Sequence, residues 1–250
     1  MGQEGGLNPW PYPRWIAHRG AGKLAPENTL AAFRFGASHG YRMFECDAKL
    51  SADGVPFLMH DAMLDRTTSG HGVGGELSWS ALSQLDAGGW HSRQFAGEPL
   101  PTLENMARFC LGNGYLLNIE IKPTPGTERH TGEVVAAEAA RQWAHAAVPP
   151  LLTSFQVASL EGAQATAPQL PRGLLLDTLR DDWLATARRL GCVVVVCNHA
   201  LWDAGTVAAA KSAGLRTLSY TVNDDWAAQR LIALGTDGII TDRVDLFAPA

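Results

Sequence analysis

Two short stretches hold most of the chemistry in this chain. One is Ala17-His18-Arg19-Gly20; the other is Phe44-Glu45-Cys46-Asp47, running on to Met59-His60-Asp61. They bring two histidines, an arginine and paired acids close together in sequence. Such a set can hold a divalent cation, bind a phosphate and move a proton on both sides of a bond. A third segment, Asn118-Ile119-Glu120-Ile121-Lys122, alternates polar and apolar residues, so that Asn118, Glu120 and Lys122 share one face of a strand.

Glu45, Asp47 and Glu120 each fall at the C-terminal end of an expected strand. Three carboxylates so placed repel one another unless something positive sits among them. An all-oxygen set favours Mg2+ or Ca2+ over Zn2+. The competing structural reading pairs each acid with a nearby Arg or Lys. His18 and His60 lie beside the acids and titrate near neutral pH, which suits a general acid and a general base in either order. His39, His71, His91, His130, His145 and His199 lack such company and read as surface or loop residues. Arg19 and Lys122 are the expected phosphate ligands, the guanidinium as a two-pronged donor and the ammonium as a point charge. Lys122 also suits neutralising Glu120, and the two uses are compatible. Asn28, just before a helical pattern, reads as its N-cap. Gly20 and Gly22 would let backbone N–H groups approach a phosphate, although glycines at this spacing are a weak signal.

The elements that must position these residues alternate in type. Strand-like runs fall at Trp15–His18, Met43–Asp47, Leu116–Ile121, Leu151–Phe155, Gly173–Leu176, Val193–Cys197, Leu218–Val222 and Gly238–Thr241. Helical spacing marks Asn28–His39, Thr102–Leu111, Thr131–Ala146, Asp182–Leu190, Thr206–Ala213 and Asp224–Leu234. Gly40, Gly112, Gly191, Gly214 and Gly235 stand as helix stops. Eight strands alternating with helices predict an α/β fold of the (β/α)8 TIM-barrel type. A doubly wound open sheet is the rival, disfavoured because no dinucleotide-type glycine fingerprint follows the first strand.

Pro56–His60 would be an extra strand. Asp53-Gly54 is a two-residue hairpin signal, and that turn would set Leu50 opposite Phe57, Ala48 opposite Met59 and Asp47 opposite His60. Residues 62–100 are rich in Gly, Ser and Thr. A connection of this length predicts a lid or small inserted subdomain over one side of the barrel mouth.

Bulk properties bound the partners. With 250 residues, 46% of them hydrophobic, the chain can bury the core of one barrel domain over 14–250, behind a loose arm at 1–13. A net charge of −5 disfavours nucleic acid or an anionic membrane as the main partner. The four cysteines show no zinc-type pairing and read as reduced thiols. No signal-peptide pattern and no apolar run of ~18 residues is present, so a cytoplasmic location without a membrane span is expected.

Taken in order, the motifs resemble the glycerophosphodiester phosphodiesterase family. They are His18-Arg19-Gly20, Pro26-Glu27-Asn28-Thr29, Glu45-x-Asp47, Asp53-Gly54, His60-Asp61, Leu64-Asp65-Arg66-Thr67-Thr68, Pro101-Thr102-Leu103-Glu104 and Glu120-x-Lys122. Fainter matches follow at Ser154-Phe155, Tyr220-Thr221-Val222-Asn223 and Asp237-Gly238-Ile239-Ile240-Thr241-Asp242. Tyr220 departs from the family, where Trp is common. The resemblance implies a phosphodiesterase-type TIM barrel with 62–100 as the family's small insertion. It implies hydrolysis of glycerophosphodiesters, such as glycerophosphocholine or glycerophosphoethanolamine, to sn-glycerol 3-phosphate and an alcohol. It also implies one divalent cation on Glu45, Asp47 and Glu120, His18 and His60 as acid–base pair, and Arg19 and Lys122 on the phosphate. Lipid diesters cleaved in lysophospholipase D fashion, or a silent phosphate-binding barrel, are the alternatives.

Overall fold

In the computed structural model, which describes residues 10–249, short β-branched and leucine-rich runs form the strands and the glycine-ended segments between them form the helices. The strands are β1 (Trp15–Ala17), β2 (Met43–Leu50), β3 (Pro56–Leu58), β4 (Leu116–Ile121), β5 (Leu151–Ser154), β6 (Arg172–Leu176), β7 (Val194–Asn198), β8 (Arg216–Tyr220) and β9 (Gly238–Thr241). All pair in parallel except β3, which runs antiparallel beside β2. The sheet closes because β1 bonds both to β9, at Ala17 opposite Thr241, and to β2, at Ala17 opposite Phe44. Eight parallel strands among the described residues thus make the expected barrel. The helices are α1 (Leu30–Ser38), α2 (Trp79–Leu82), α3 (Leu103–Asn113), α4 (Glu128–Gln142), α5 (Val157–Thr166), α6 (Trp183–Arg189), α7 (Ala204–Ser212) and α8 (Asp225–Leu234).

Side-chain alternation sorts the core. In β2, Phe44, Cys46, Ala48 and Leu50 face the helices, together with Leu117, Ile119 and Ile121 of β4. Met43 faces the lumen, where Ile16, Leu151, Leu175, Val194, Val196, Leu218 and Ile240 fill the barrel floor. Period-two alternation therefore carries Glu45, Asp47 and Lys49 up the same lumenal face. A barrel core packed in this way leaves its upper layer for function.

Several local expectations are corrected. The hairpin is shifted by one residue: Ala48 pairs with Leu58, Lys49 with Phe57 and Leu50 with Pro56. Ser51 N–H bonds Val55 O at 3.1 Å around a three-residue turn, with Gly54 at φ 81°. The third turn residue supplies the left-handed step that such loops require. Met59, not His60, consequently lies opposite Asp47, its N–H donating to Asp47 O at 3.0 Å. His60 reaches the site from the bend beyond β3. Thr29, not Asn28, caps α1, accepting from Ala32 N at 3.2 Å. α3 runs through Gly112 and stops at Gly114, at φ 67°. α5 falls outside the stretches of helical spacing, because its contact with α4 is made by small residues rather than an apolar stripe; a Cβ on Gly132 would sit 2.0 Å from Ser159 O.

The supposed loose arm is packed where it is described. Tyr12 is buried and donates to Pro149 O at 2.9 Å, while residues 1–9 lie outside the described residues. In the 62–100 segment, Leu64, Leu82, Ala87 and Leu100 join Phe57 and Met59 of the hairpin in a separate small core. The four cysteines are buried and unpaired. Among the described residues, no helix is long and apolar enough to cross a membrane.

The loop after β1 is tight against the end of β9. A Cβ on Gly22, at φ 58°, would lie 2.1 Å from Asp242 Cα. Gly22→Ala is therefore expected to destabilise the fold by about 1–3 kcal/mol, read as a lowered Tm. An unchanged Tm would show that this loop yields freely.

Candidate active site

β2 and β4 bring the acids together because their register sets Asp47 directly beside Glu120, with Glu45 one pleat below. Ligand oxygens of Glu45, Asp47 and Glu120 all lie within 4.8 Å of one another. All three residues are buried. Part of their hydrogen-bonding capacity is spent. Glu45 Oε2 accepts from Arg19 N at 3.0 Å, and Asp47 Oδ2 from Asn28 Nδ2 at 2.8 Å. Glu120 Oε1 accepts from Lys122 Nζ at 2.7 Å. Glu45 Oε1 and Asp47 Oδ1 have no hydrogen-bond partner. Buried carboxylate oxygens left bare are costly unless a positive group serves them. The donor set therefore fits an oxygen-seeking divalent cation.

The electrostatics carry the same message. Burial, then the charge of Asp47, pushes Glu45 up to about 8, and the same two causes raise Glu120. Burial acts against Asp47 as well. The charges of Arg19, His60 and Lys122, with the Asn28 hydrogen bond, outweigh it and hold Asp47 down at about 2. One acid of the trio is thus firmly ionised and its neighbours hold protons more tightly than free carboxylates do.

His18 and His60 are mounted alike. His18 Nδ1 lies 2.6 Å from Asp242 Oδ1 and His60 Nδ1 2.7 Å from Asp61 Oδ1. A carboxylate on Nδ1 fixes tautomer and ring orientation and leaves Nε2 as the working atom. His18 Nε2 is 3.9 Å from Glu45 Oε2. Burial opposes a charged His18, but Asp242 and Glu45 outweigh it and raise its pKa. At His60 burial prevails, aided by Arg19 and Lys122 against Asp47 and Asp61, and the pKa is lowered. Two imidazoles pushed in opposite directions suit a proton donor paired with a proton acceptor.

The cations complete the rim. Arg19 Nη1 donates to Glu27 at 2.9 Å and its Nε lies 3.3 Å from Asp47 Oδ2. Lys122 Nζ is 4.0 Å from Asp47 Oδ1. All seven residues singled out from the sequence thus meet at one end of the barrel. A cavity of about 430 Å³ opens beside them, lined by Glu120, Lys122, Phe155, Gln156 and Asp177 among others.

Other residues contribute to the site beyond the seven expected from the sequence. Asp242, at the end of β9, is itself held by Asn223 Nδ2 at 2.8 Å. Asp61 could have been suspected from its adjacency to His60. Lys49 is fully buried, pushed down to about 8 by burial, and ties the carbonyls of Lys122 and His60 at 3.0 and 3.4 Å. Asn28 stands at φ 60° and grips Asp47 twice, since it also accepts from Asp47 N at 3.0 Å. Asn28→Gly keeps that backbone conformation accessible while removing both bonds. It is expected to weaken metal binding by about 10–100-fold, measured by calorimetric titration; unchanged affinity would mean Asn28 only shapes the loop.

A parallel barrel that gathers acids, paired histidines and cations at the C-terminal ends of its strands is equipped to cleave phosphate esters. The family model described as the glycerophosphoryl diester phosphodiesterase family matches residues 18–246, and the chain belongs to that family. The glycerophosphodiester phosphodiesterase of Caldanaerobacter subterraneus subsp. tengcongensis is 33% identical over 232 residues, 91% of this chain and 93% of that one. A phosphodiesterase of Oleispira antarctica, solved in complex with the product sn-glycerol-3-phosphate, is 33% identical with a TM-score of 0.86, covering 92% of this chain and 93% of that one. A glycerophosphodiester phosphodiesterase of Agrobacterium tumefaciens str. C58 is 31% identical with a TM-score of 0.78, covering 96% and 100%. This protein is an enzyme of the phosphoric diester hydrolase class.

Proposed function

We propose that this enzyme hydrolyses small glycerophosphodiesters, glycerophosphocholine and glycerophosphoethanolamine among them, to sn-glycerol 3-phosphate and the free alcohol. The observation that carries the reading is the acid trio with two unpartnered buried oxygens, flanked by two histidines whose Nδ1 atoms are each held by a carboxylate. Mg2+ or Ca2+ held by Glu45, Asp47 and Glu120 would supply a Lewis acid for a phosphoryl oxygen and an acidified nucleophile.

The chain's own groups do the rest. The Nε2 of one histidine accepts the proton of the attacking hydroxyl, from water or the neighbouring glycerol hydroxyl, while the Nε2 of the other donates to the departing alkoxide. Arg19 and Lys122 offset the charge that gathers on the equatorial oxygens during in-line displacement. Residues 62–100 form the lid over this side of the mouth, and residues 14–250 form one barrel domain with that lid inserted. Four unpaired, buried thiols favour a reducing compartment, so we place the enzyme in the cytoplasm.

A coupled assay for glycerol 3-phosphate, run across several head groups with and without EDTA and set against lysophosphatidylcholine, tests the reading. Metal-dependent release from the small diesters is the expected result. Release from lysophosphatidylcholine alone, or from no diester, would overturn it.

A further inference from the structure

The Leu64-Asp65-Arg66-Thr67-Thr68 stretch lies in the inserted segment and takes no part in the chemistry described so far. Its arginine nonetheless reaches the site's supports on two sides. Arg66 Nη1 and Nη2 donate to Glu27 Oε2 and Oε1, both at 2.8 Å. Arg66 Nε donates to Asp61 Oδ2 at 2.6 Å, and Nη2 also donates to Asp61 Oδ1 at 3.1 Å. Each carboxylate has a second partner. Glu27 Oε1 accepts from Arg19 Nη1 at 2.9 Å, and Asp61 Oδ1 lies 2.7 Å from His60 Nδ1.

We propose that Arg66 is a positioning residue for the diesterase reaction, its forked guanidinium holding Asp61 and Glu27 so that His60 keeps its ring orientation and Arg19 stays available to the phosphate. The inference rests on the roles given to His60 and Arg19 above. Its physical basis is the competition for Arg19, which already faces Asp47 as well as Glu27. Sharing Glu27 with a second guanidinium weakens that carboxylate's hold on Arg19. A planar guanidinium can fork between two carboxylates; a lysine ammonium makes a single point contact and cannot keep both in register.

The position is well suited to separating function from folding. Arg66 is 44% exposed, so its ion pairs add little to global stability. Its backbone is anchored without it. Leu64 is buried among Phe57, Met59, Leu82, Ala87 and Leu100, and Thr68 Oγ1 donates to Leu64 O at 2.8 Å.

The test is steady-state kinetics on glycerophosphocholine for the wild type, R66A, R66K and H60A, with thermal melts on each. R66A is expected to melt close to the wild type, with kcat lowered, KM raised and kcat/KM down by roughly 10²-fold. Guanidinium chloride, well below unfolding concentrations, should restore part of the R66A rate where methylammonium does not, and R66K should recover little. The proposal fails if R66A turns over like the wild type. It also fails if the loss follows a lowered Tm and guanidinium restores nothing. If H60A itself keeps wild-type turnover, the histidine assignment falls and the proposal falls with it.

Discussion

Alanine at His18 or at His60 is expected to lower kcat by about 10²–10⁴-fold while the barrel stays folded. Both rings sit at the rim, beyond the ends of β1 and β3, and neither belongs to the lumenal or helix-facing core. Truncation would remove each Nε2, the proposed proton carrier, and would leave Asp242 and Asp61, which face the Nδ1 atoms, without the ring they hold. The double variant should fall little further than the worse single one, since donor and acceptor act on one displacement. The wild-type pH profile of kcat/KM should be bell-shaped, with one limb lost in each variant. Near-full turnover in both single variants would remove the acid–base assignment.

Chelation is expected to abolish turnover, and stabilisation of the fold by added metal is expected to grow as pH rises. Glu45 has a raised pKa, about 8 against an ordinary 4.5. The metal-free folded protein thus keeps a proton that the unfolded chain releases above about 4.5. Its contribution to metal-free stability is complete below that value and is lost as pH rises through about 8. Glu45, Asp47 and Glu120 would give up this proton on holding a cation, whose charge would offset their mutual repulsion. The gain in Tm on adding Mg2+ or Ca2+ should therefore be small near pH 5 and largest near pH 8. Apparent affinity should rise roughly tenfold per pH unit while one proton is displaced. Asp47→Asn should flatten the dependence and cut affinity, since it removes the charge that helps raise Glu45 and Glu120. A Tm gain that is level or falling from pH 5 to 8 would refute the account.

Legibility differed between short and long range. Asn118-Ile119-Glu120-Ile121-Lys122 could be read because strand alternation is strict and local: β4 spans Leu116–Ile121 as expected, with Ile119 and Ile121 in the outer core. The hairpin sits one residue from the register of a two-residue turn because Asp53-Gly54 suits such a turn as well as the tail of a three-residue one. The difference lies in whether Asp53 spends its carboxylate on Ser51 Oγ and Trp79 N, at 2.6 and 2.8 Å. Trp79 is remote in sequence, so no local pattern reports it. Asn28 looked like a cap because it precedes a helix; the structure uses Thr29 for that and turns Asn28 inward to Asp47.

The residue order alone established a barrel of alternating strands and helices and the seven polar groups that gather at one end of it, while the class of ester was implied by the resemblance of the ordered motifs to a known family. The barrel and its polar groups follow from periodicities of two and of about three and a half, and from charge placed at strand ends, all of which act over a few neighbours. That Asp242 steadies His18 came from closure of the sheet, which sets β1 against β9 and joins the two across 224 positions. Hydrogen bonds of that reach depend on where the whole chain comes to rest, and a linear pattern has no term for it.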